Sequence, residues 1–179
     1  MQSKRYDSPL GPLRIVISDQ ELVALWLEEK VRYKPVLAEE TSSPKPSDPL
    51  FHQVAMWLDG YFAGENPDPN ALPLGPKGSD FQQAVWAELL KIPYGEVVTY
   101  GAIAKTLAKA RGIERMSSQA VGGAVGRNPI SIIIPCHRVV GSDGSLTGYG
   151  GGIENKVKLL EGEGVDMTKL YVPKKGTAL

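Results

Sequence analysis

Cysteine and histidine are almost missing from this sequence: its 179 residues include one cysteine, Cys136, and two histidines, His52 and His137. A lone cysteine cannot close an internal disulfide. With two histidines beside it, it cannot complete a Cys/His-rich zinc site, which leaves a mixed site using carboxylates as the remaining metal reading; no metal and no cofactor are expected. Long apolar runs are missing too, and nothing approaches the ~20 residues that span a bilayer. The opening, MQSKRYDSPLGPLRIVIS, has no apolar signal segment before its first strand-like run, so an intracellular setting is expected. Net charge is absent, with 20 Lys and Arg against 20 Asp and Glu, but it is unevenly spread. Residues 1–90 carry 8 basic and 13 acidic side chains, and residues 91–179 carry 12 and 7. A basic half can track an anionic backbone, although five charges can equally be incidental surface.

What is present is an ordinary globular composition, 42% hydrophobic and 22% charged, enough for one sizeable core or two small packed domains. LRIVIS (13–18) and LVALWLEE (22–29) are β-branched and aromatic, and the SDQE between them reads as a tight turn, which predicts an antiparallel hairpin. The Pro/Ser-rich stretch 34–49 reads as a loop. SDPLFHQVAMWLDGYF (47–62) predicts a helix capped by Ser47 or Asp48, with Pro49 in its first turn and Phe51, Val54, Ala55, Leu58 and Phe62 on one side. His52 on that helix has no cysteine or second histidine near it in sequence and reads as a surface or partly packed residue. Residues 63–80, rich in Pro, Gly and Asn, read as a linker of the kind that often packs as an ordered loop.

The second half is helical. Ser79 followed by Gln82 forms a capping-box pattern ahead of Phe81, Ala84, Val85 and Leu89. Pro93 and Gly95 end that helix. Thr99 caps the next, 99–112, which turns Ile103, Ala104 and Leu107 inward. Ser117 or Ser118 caps a third, in which residues 120–126 are all Ala, Val or Gly. Each glycine inside a helix costs about 1 kcal/mol relative to alanine, so two in a row imply close approach by another helix or by a nucleic-acid backbone. A helix, a break and a small-residue helix fit helix-turn-helix geometry. Ile130–Ile134 reads as a buried strand or extended segment, and 141–152 as a turn and loop. The last helix, 153–164, carries Ile153, Val157 and Leu160 on one face.

Cys136 follows the apolar run. Free cysteines are among the most buried residues, so core filler is one reading. The adjacent His137–Arg138 pair supports the other, a nucleophile whose thiolate an imidazole favours directly or through water. Neighbours on an extended chain point apart, so adjacency alone does not decide between them.

PCHRVVG, preceded by VGGAVGRNPISIII and flanked by GEVVTYGAIAK and GYGGGIENKVKLLEGEG, resembles the O6-alkylguanine-DNA alkyltransferase family over residues 79–164. The first 78 residues are similar to that family's more variable N-terminal domain. The resemblance implies an α+β protein: residues 1–78 form a small antiparallel-sheet domain with its linker, and residues 79–179 form a helical DNA-binding and alkyl-acceptor domain with a winged helix-turn-helix. It implies single-turnover, direct-reversal DNA repair, in which Cys136 takes a methyl or larger alkyl group from guanine O6 and keeps it. O4-alkylthymine is a second candidate substrate. His137 resembles the residue that deprotonates the cysteine through water, and Glu163 the carboxylate behind that histidine. Tyr100 resembles the tyrosine that protonates the base, and Asn128 the hinge asparagine. Val139, Tyr149 and Gly150 match the guanine pocket, with the GYGGG loop closing over it. The helix 118–126 matches a recognition helix seated in the minor groove, so that Gln119, Ala120, Gly123 and Arg127 face DNA and the lesion is flipped out to reach Cys136.

This sequence departs from the family at two of these positions. Gln119 stands where an arginine often fills the gap left by the flipped base, and Gly150 stands where some members carry serine. The ligands of the zinc site found in some members have no counterpart here. The implied partner is double-stranded DNA bound by a monomer with no membrane attachment, in the cytoplasm of a prokaryote or the nucleus of a eukaryote. Two alternatives remain. A non-catalytic binder of alkylated DNA resembles this family but lacks the cysteine, so Cys136 weighs against it. A cysteine hydrolase needs an oxyanion site that the sequence does not display.

Overall fold

A computed structural model of the chain describes residues 1–30 and 48–174. They divide into two compact units, one of residues 1–77 with 129–133 and the other of residues 78–128 with 134 onward. The loop expected over 34–49 lies outside the described residues as far as residue 47.

The first unit is built on a three-stranded antiparallel sheet in the order β1 (Gln2–Ser8), β2 (Gly11–Ser18), β3 (Glu21–Leu27). The expected hairpin is β2–β3, with Leu13 opposite Leu27 and Ile15 opposite Leu25. β1 was not anticipated, because its exposed, charged text (QSKRYDS) lacks the alternation of a half-buried strand. It is an edge strand held by ladder bonds to β2 from Gln2↔Ile17 to Ser8↔Gly11. Helix α1 (Pro49–Phe62) starts where expected, with the Asp48 side chain accepting from the Leu50 amide. Its buried face carries Phe51, Val54, Trp57, Leu58 and Tyr61. Ala55 and Phe62, assigned to that face from spacing, are only partly covered, since the wider rings of Trp57 and Tyr61 take the stripe. The linker is anchored by the Trp57 indole N–H, which donates to the Asp68 carbonyl at 3.0 Å.

β3 is the other edge of the sheet, and two short stretches cover it. Leu22 exchanges backbone bonds with Pro73 and Gly75, and Leu25 with Pro129 and Ser131, the latter two at 2.9 Å. Residues 129–133 therefore belong to the first unit although they lie between segments of the second. Ile130, Ile132, Ile133 and Ile134 are buried, as their apolar character predicts. They are not a strand, however. Only Ile130 makes a bridge, and Ile132 adopts φ +71. A β-branched residue in the left-handed region is strained by about 1–3 kcal/mol and persists only where its surroundings over-determine it.

The second unit is helical. α2 (Asp80–Leu89) has the full capping box of Ser79 and Gln82. α3 (Tyr100–Arg111) is capped by Thr99 and ends at Gly112 in the left-handed conformation. α4 (Ser118–Gly126) is capped by Ser117, and the α3–turn–α4 segment is the helix-turn-helix. The buried Trp86 indole donates to the Ala124 carbonyl at 2.9 Å, locking α4 to α2. Two parallel two-residue strands, β4 (Val98–Thr99) and β5 (Val139–Val140), pair Val98 with Val139. α5 (Ile153–Gly162) buries Asn155, Lys156, Leu159 and Leu160. Of the three residues assigned to its inner face, only Leu160 is buried; Ile153 and Val157 are partly covered, because the stripe is rotated to take in polar residues.

Candidate active site

The acceptor segment is a tight turn, not the extended chain that adjacency alone left open. Pro135 (φ −82, ψ 65) ends the isoleucine run, and Cys136–Arg138 form one 3-10 turn. This curvature lets three successive side chains, Cys136, His137 and Arg138, all be buried. The turn runs directly into β5, and β4 runs directly into α3. Pairing Val98 with Val139 therefore places Tyr100, the first residue of α3, beside the acceptor turn. The two lie close enough that the thiolate of Cys136 raises the Tyr100 pKa.

Glu163, the first residue past α5, is buried and held by polar contacts. Its Oε2 pairs with His137 Nε2, while Oε1 accepts from Arg138 Nε at 2.7 Å and from the Gly95 amide at 3.1 Å. Arg138 also donates to the Ile92 carbonyl at 2.7 Å and lies over the Tyr94 ring. The carboxylate is thus fixed from two sides while it fixes the imidazole. At Gly95 the geometry leaves little freedom. The residue has φ +81, and an added Cβ would sit 3.0 Å from the Glu163 carbonyl oxygen. Gly95→Ala is expected to cost about 1–3 kcal/mol through backbone strain and to slow the chemistry by shifting Glu163. Urea unfolding together with a single-turnover rate measures both effects.

Electrostatics favour neutral starting species. Burial raises the Cys136 pKa, opposed by a hydrogen bond from the Asn128 side chain and by the Lys156 charge. Burial lowers the His137 pKa, with Glu163 opposing. Burial also pushes Tyr100 up to about 12, so its hydroxyl is a proton donor at neutral pH; it donates to the Thr147 carbonyl at 3.2 Å. The resting site is therefore a thiol, a neutral imidazole able to accept its proton, and a phenol able to give one up.

The residues assigned from sequence fall into two groups. Cys136, His137, Glu163, Tyr100, Val139 and Tyr149 are all buried, and Asn128 joins them by donating from Nδ2 to the Ile134 carbonyl at 2.8 Å. Tyr149 Oη is buried without a hydrogen-bond partner among the described residues, and Gly150 beside it is exposed with open space around its Cα. Gln119, Ala120, Gly123 and Arg127 lie apart from this cluster, exposed on the outward face of α4. A Cβ at Gly123 would touch nothing within 4 Å, so packing inside the chain does not explain that glycine. Sequence reasoning missed Lys156, which is buried, and Glu163, also buried, was reached only through the family resemblance. The available signal was helical spacing: residues 156, 160 and 163 stand at i, i+4 and i+7 on one face. No cluster of three potential metal ligands occurs among the described residues.

The second unit joins a helix-turn-helix to a turn that carries a buried cysteine and a His–Glu pair, the combination of a DNA-binding protein equipped for thiol chemistry. Residues 80–165 match the family described as 6-O-methylguanine DNA methyltransferase, DNA binding domain, and residues 1–76 match its ribonuclease-like domain. The chain belongs to the 6-O-methylguanine DNA methyltransferase family. Among curated relatives, the methylated-DNA–protein-cysteine methyltransferase of Haemophilus influenzae is 43% identical over 160 residues, covering 87% of this chain and 82% of that protein. That of Methanosarcina acetivorans is 40% identical, covering 89% and 96%. Among solved structures, Mycobacterium tuberculosis OGT in complex with DNA superposes with a TM-score of 0.78 at 40% identity, covering 95% of each chain.

Proposed function

We propose that this protein repairs alkylated DNA by transferring the alkyl group of O6-alkylguanine irreversibly to its own Cys136. The observation that carries the reading is a buried thiol on the same turn as a His137–Glu163 pair, with an un-ionised Tyr100 near the sulfur. His137 takes the thiol proton through a water molecule. Sγ attacks the alkyl carbon, the S–C bond forms as the C–O6 bond breaks, and the electron pair stays on guanine. Tyr100 supplies the proton that neutralises the departing base. The thioether is stable and nothing in the site removes it, so each molecule acts once.

α4 is the DNA-facing helix, and its outward row of small residues suits the shallow, narrow minor groove. The protein acts as a monomer that rotates the damaged nucleotide out of the stack. Asn128 steadies the turn that leads to the cysteine. Val139 and Tyr149 line the base pocket, and Gly150, which has no side chain, leaves its mouth wide. Gln119 offers hydrogen bonds to the orphaned cytosine without a positive charge.

The test is intact mass after mixing the protein with duplex DNA containing O6-methylguanine. A gain of about one CH2 per molecule on Cys136, absent in Cys136→Ser, is expected. Tight binding without a mass change supports a lesion binder instead, and product exceeding protein supports a hydrolase.

A further inference from the structure

Among the described residues of the second unit, the buried polar and charged side chains are His137, Arg138, Asn155, Lys156 and Glu163. His137 and Arg138 both bond to Glu163, and Lys156 donates to the Val139 carbonyl just after the acceptor turn. Asn155 is only 5% exposed and bonds elsewhere. From the first turn of α5, its Nδ2 donates back to the Gly151 carbonyl at 2.8 Å. Polar side chains at a helix start ordinarily accept from backbone amides. Here a buried asparagine holds a loop carbonyl instead.

That loop needs holding. Residues 148–152 read GYGGG, and Gly148 and Gly152 stand at φ +69 and +92. Glycine has the most conformational freedom to lose, so a loop of this composition keeps one shape only where bonds fix it. α5 has Gly152 at its N-cap and no capping side chain. The Gly152 N–H donates to the Tyr149 carbonyl at 3.0 Å, which closes a turn over 149–152, and Asn155 fastens that turn to α5 through Gly151. α5 is itself anchored by buried Leu159 and Leu160. The turn carries Tyr149. Burial raises the pKa of this tyrosine, and Cys136 and Glu163 lie near enough for their charges to add to the rise. Its hydroxyl has no hydrogen-bond partner among the described residues. The ring is therefore placed through its backbone, and Asn155 is the side chain that ties that backbone down.

We propose that Asn155 is a positioning residue that sets adduct-size preference: by fastening the Gly151 carbonyl to α5, it keeps Tyr149 against the base and limits the space left for the O6-alkyl group. Gly150 opens the mouth of the pocket, and Asn155 limits how far the glycine loop moves away from it. With the bond cut, the loop swings outward. A methyl adduct then loses the close fit that aligns it with the sulfur, whereas a long alkyl chain gains the room it lacked. The proposal rests on the acceptor role assigned to Cys136, so wild-type protein is tested first. Failure of wild type to gain mass from an O6-methylguanine duplex sinks the acceptor reading itself, whatever Asn155 does.

Given that gain, single-turnover rates at saturating DNA are compared for duplexes of one sequence carrying O6-methylguanine or O6-butylguanine. Both adducts are displaced at a primary carbon, so each variant's methyl-to-butyl rate ratio, divided by that of wild type, cancels the intrinsic difference in reactivity. Asn155→Ala should transfer methyl about 10-fold more slowly and butyl at no less than about half the wild-type rate, so the ratio falls about 5-fold or more. DNA affinity should not change, because α4 is untouched. Asn155→Asp keeps the size but has no N–H donor and sets a negative charge against the Gly151 carbonyl. Its ratio should fall at least as far as that of the alanine variant. Amide exchange over residues 149–152 should quicken by about 10-fold in both variants, with α2 and α4 unaffected. A general loss of structure slows both substrates alike, so equal slowing overturns the proposal. So does a wild-type ratio in either variant. Should neither variant fold, amide exchange of wild type decides: residues 149–152 must be protected, and exchange at the rate of an unstructured peptide overturns the proposal.

Discussion

Glu163→Gln is expected to lower the rate of methyl transfer by about 100- to 1000-fold. Glutamine fills the same volume but cannot replace a carboxylate whose two oxygens are both used. One oxygen accepts from Arg138 and the Gly95 amide, and the other pairs with His137. If the amide NH2 faces His137, it opposes an N–H donor or forces the other tautomer. If it faces Arg138, two donors meet and the guanidinium loses its counter-charge. Removing one partner of a buried ion pair costs about 3–5 kcal/mol, so the unfolding midpoint should fall as well. The two effects separate in the pH profile. In wild type the carboxylate opposes the fall in the His137 pKa caused by burial. Without that charge, the neutral imidazole is held to still lower pH but is a weaker base, so the rate loss should persist across the neutral range. A Glu163→Gln protein that is destabilised yet transfers methyl at the wild-type rate would remove Glu163 from the mechanism.

Asn128→Ala is expected to slow transfer by about 100-fold and to destabilise the protein by about 1–3 kcal/mol. The chain leaves the second unit at Asn128 and returns to it at Ile134. The Asn128 amide bridges that gap by donating to the Ile134 carbonyl at 2.8 Å, two residues before the thiol. The same side chain hydrogen-bonds Cys136 and lowers its pKa against the effect of burial. Alanine removes both contacts. The thiol pKa should therefore rise, and the rate deficit should shrink as the pH of the assay is raised. Asn128→Asp keeps the size but loses the N–H donor and adds a negative charge beside the sulfur, so it should be slower than the alanine variant. Equal rates for wild type and Asn128→Ala, by quenched-flow single-turnover assay, would contradict this role.

Local rules carried much of the architecture. Ser79 and Thr99 cap the helices they were expected to cap, and Asp48 and Ser117 are the caps out of the pairs Ser47/Asp48 and Ser117/Ser118, because capping depends on a few adjacent residues and the backbone amides that need them. Burial of charge was not legible in the same way. Glu163 and Lys156 look like surface residues in sequence, since their partners Arg138, His137, Val139 and Thr147 come from other elements. β1 was hidden for a related reason: its hydrogen bonds are supplied by β2, and its own side chains are mostly polar. The isoleucine run announced its burial but not its shape, because an apolar run of that length reports only that water is excluded. For the chemistry, the chain itself offered Cys136 beside His137, but not the turn on which both are buried.

The edge of β3 has a consequence for how the protein is made. Leu25 is synthesised more than a hundred residues before Pro129 and Ser131, the residues that complete its backbone pairing. An N-terminal sheet that forms on the ribosome must therefore wait with an open edge, the kind of edge that recruits other chains. That edge is closed by the segment lying just before Cys136. The first unit is therefore complete only once the residues just before Cys136 in the chain have been made.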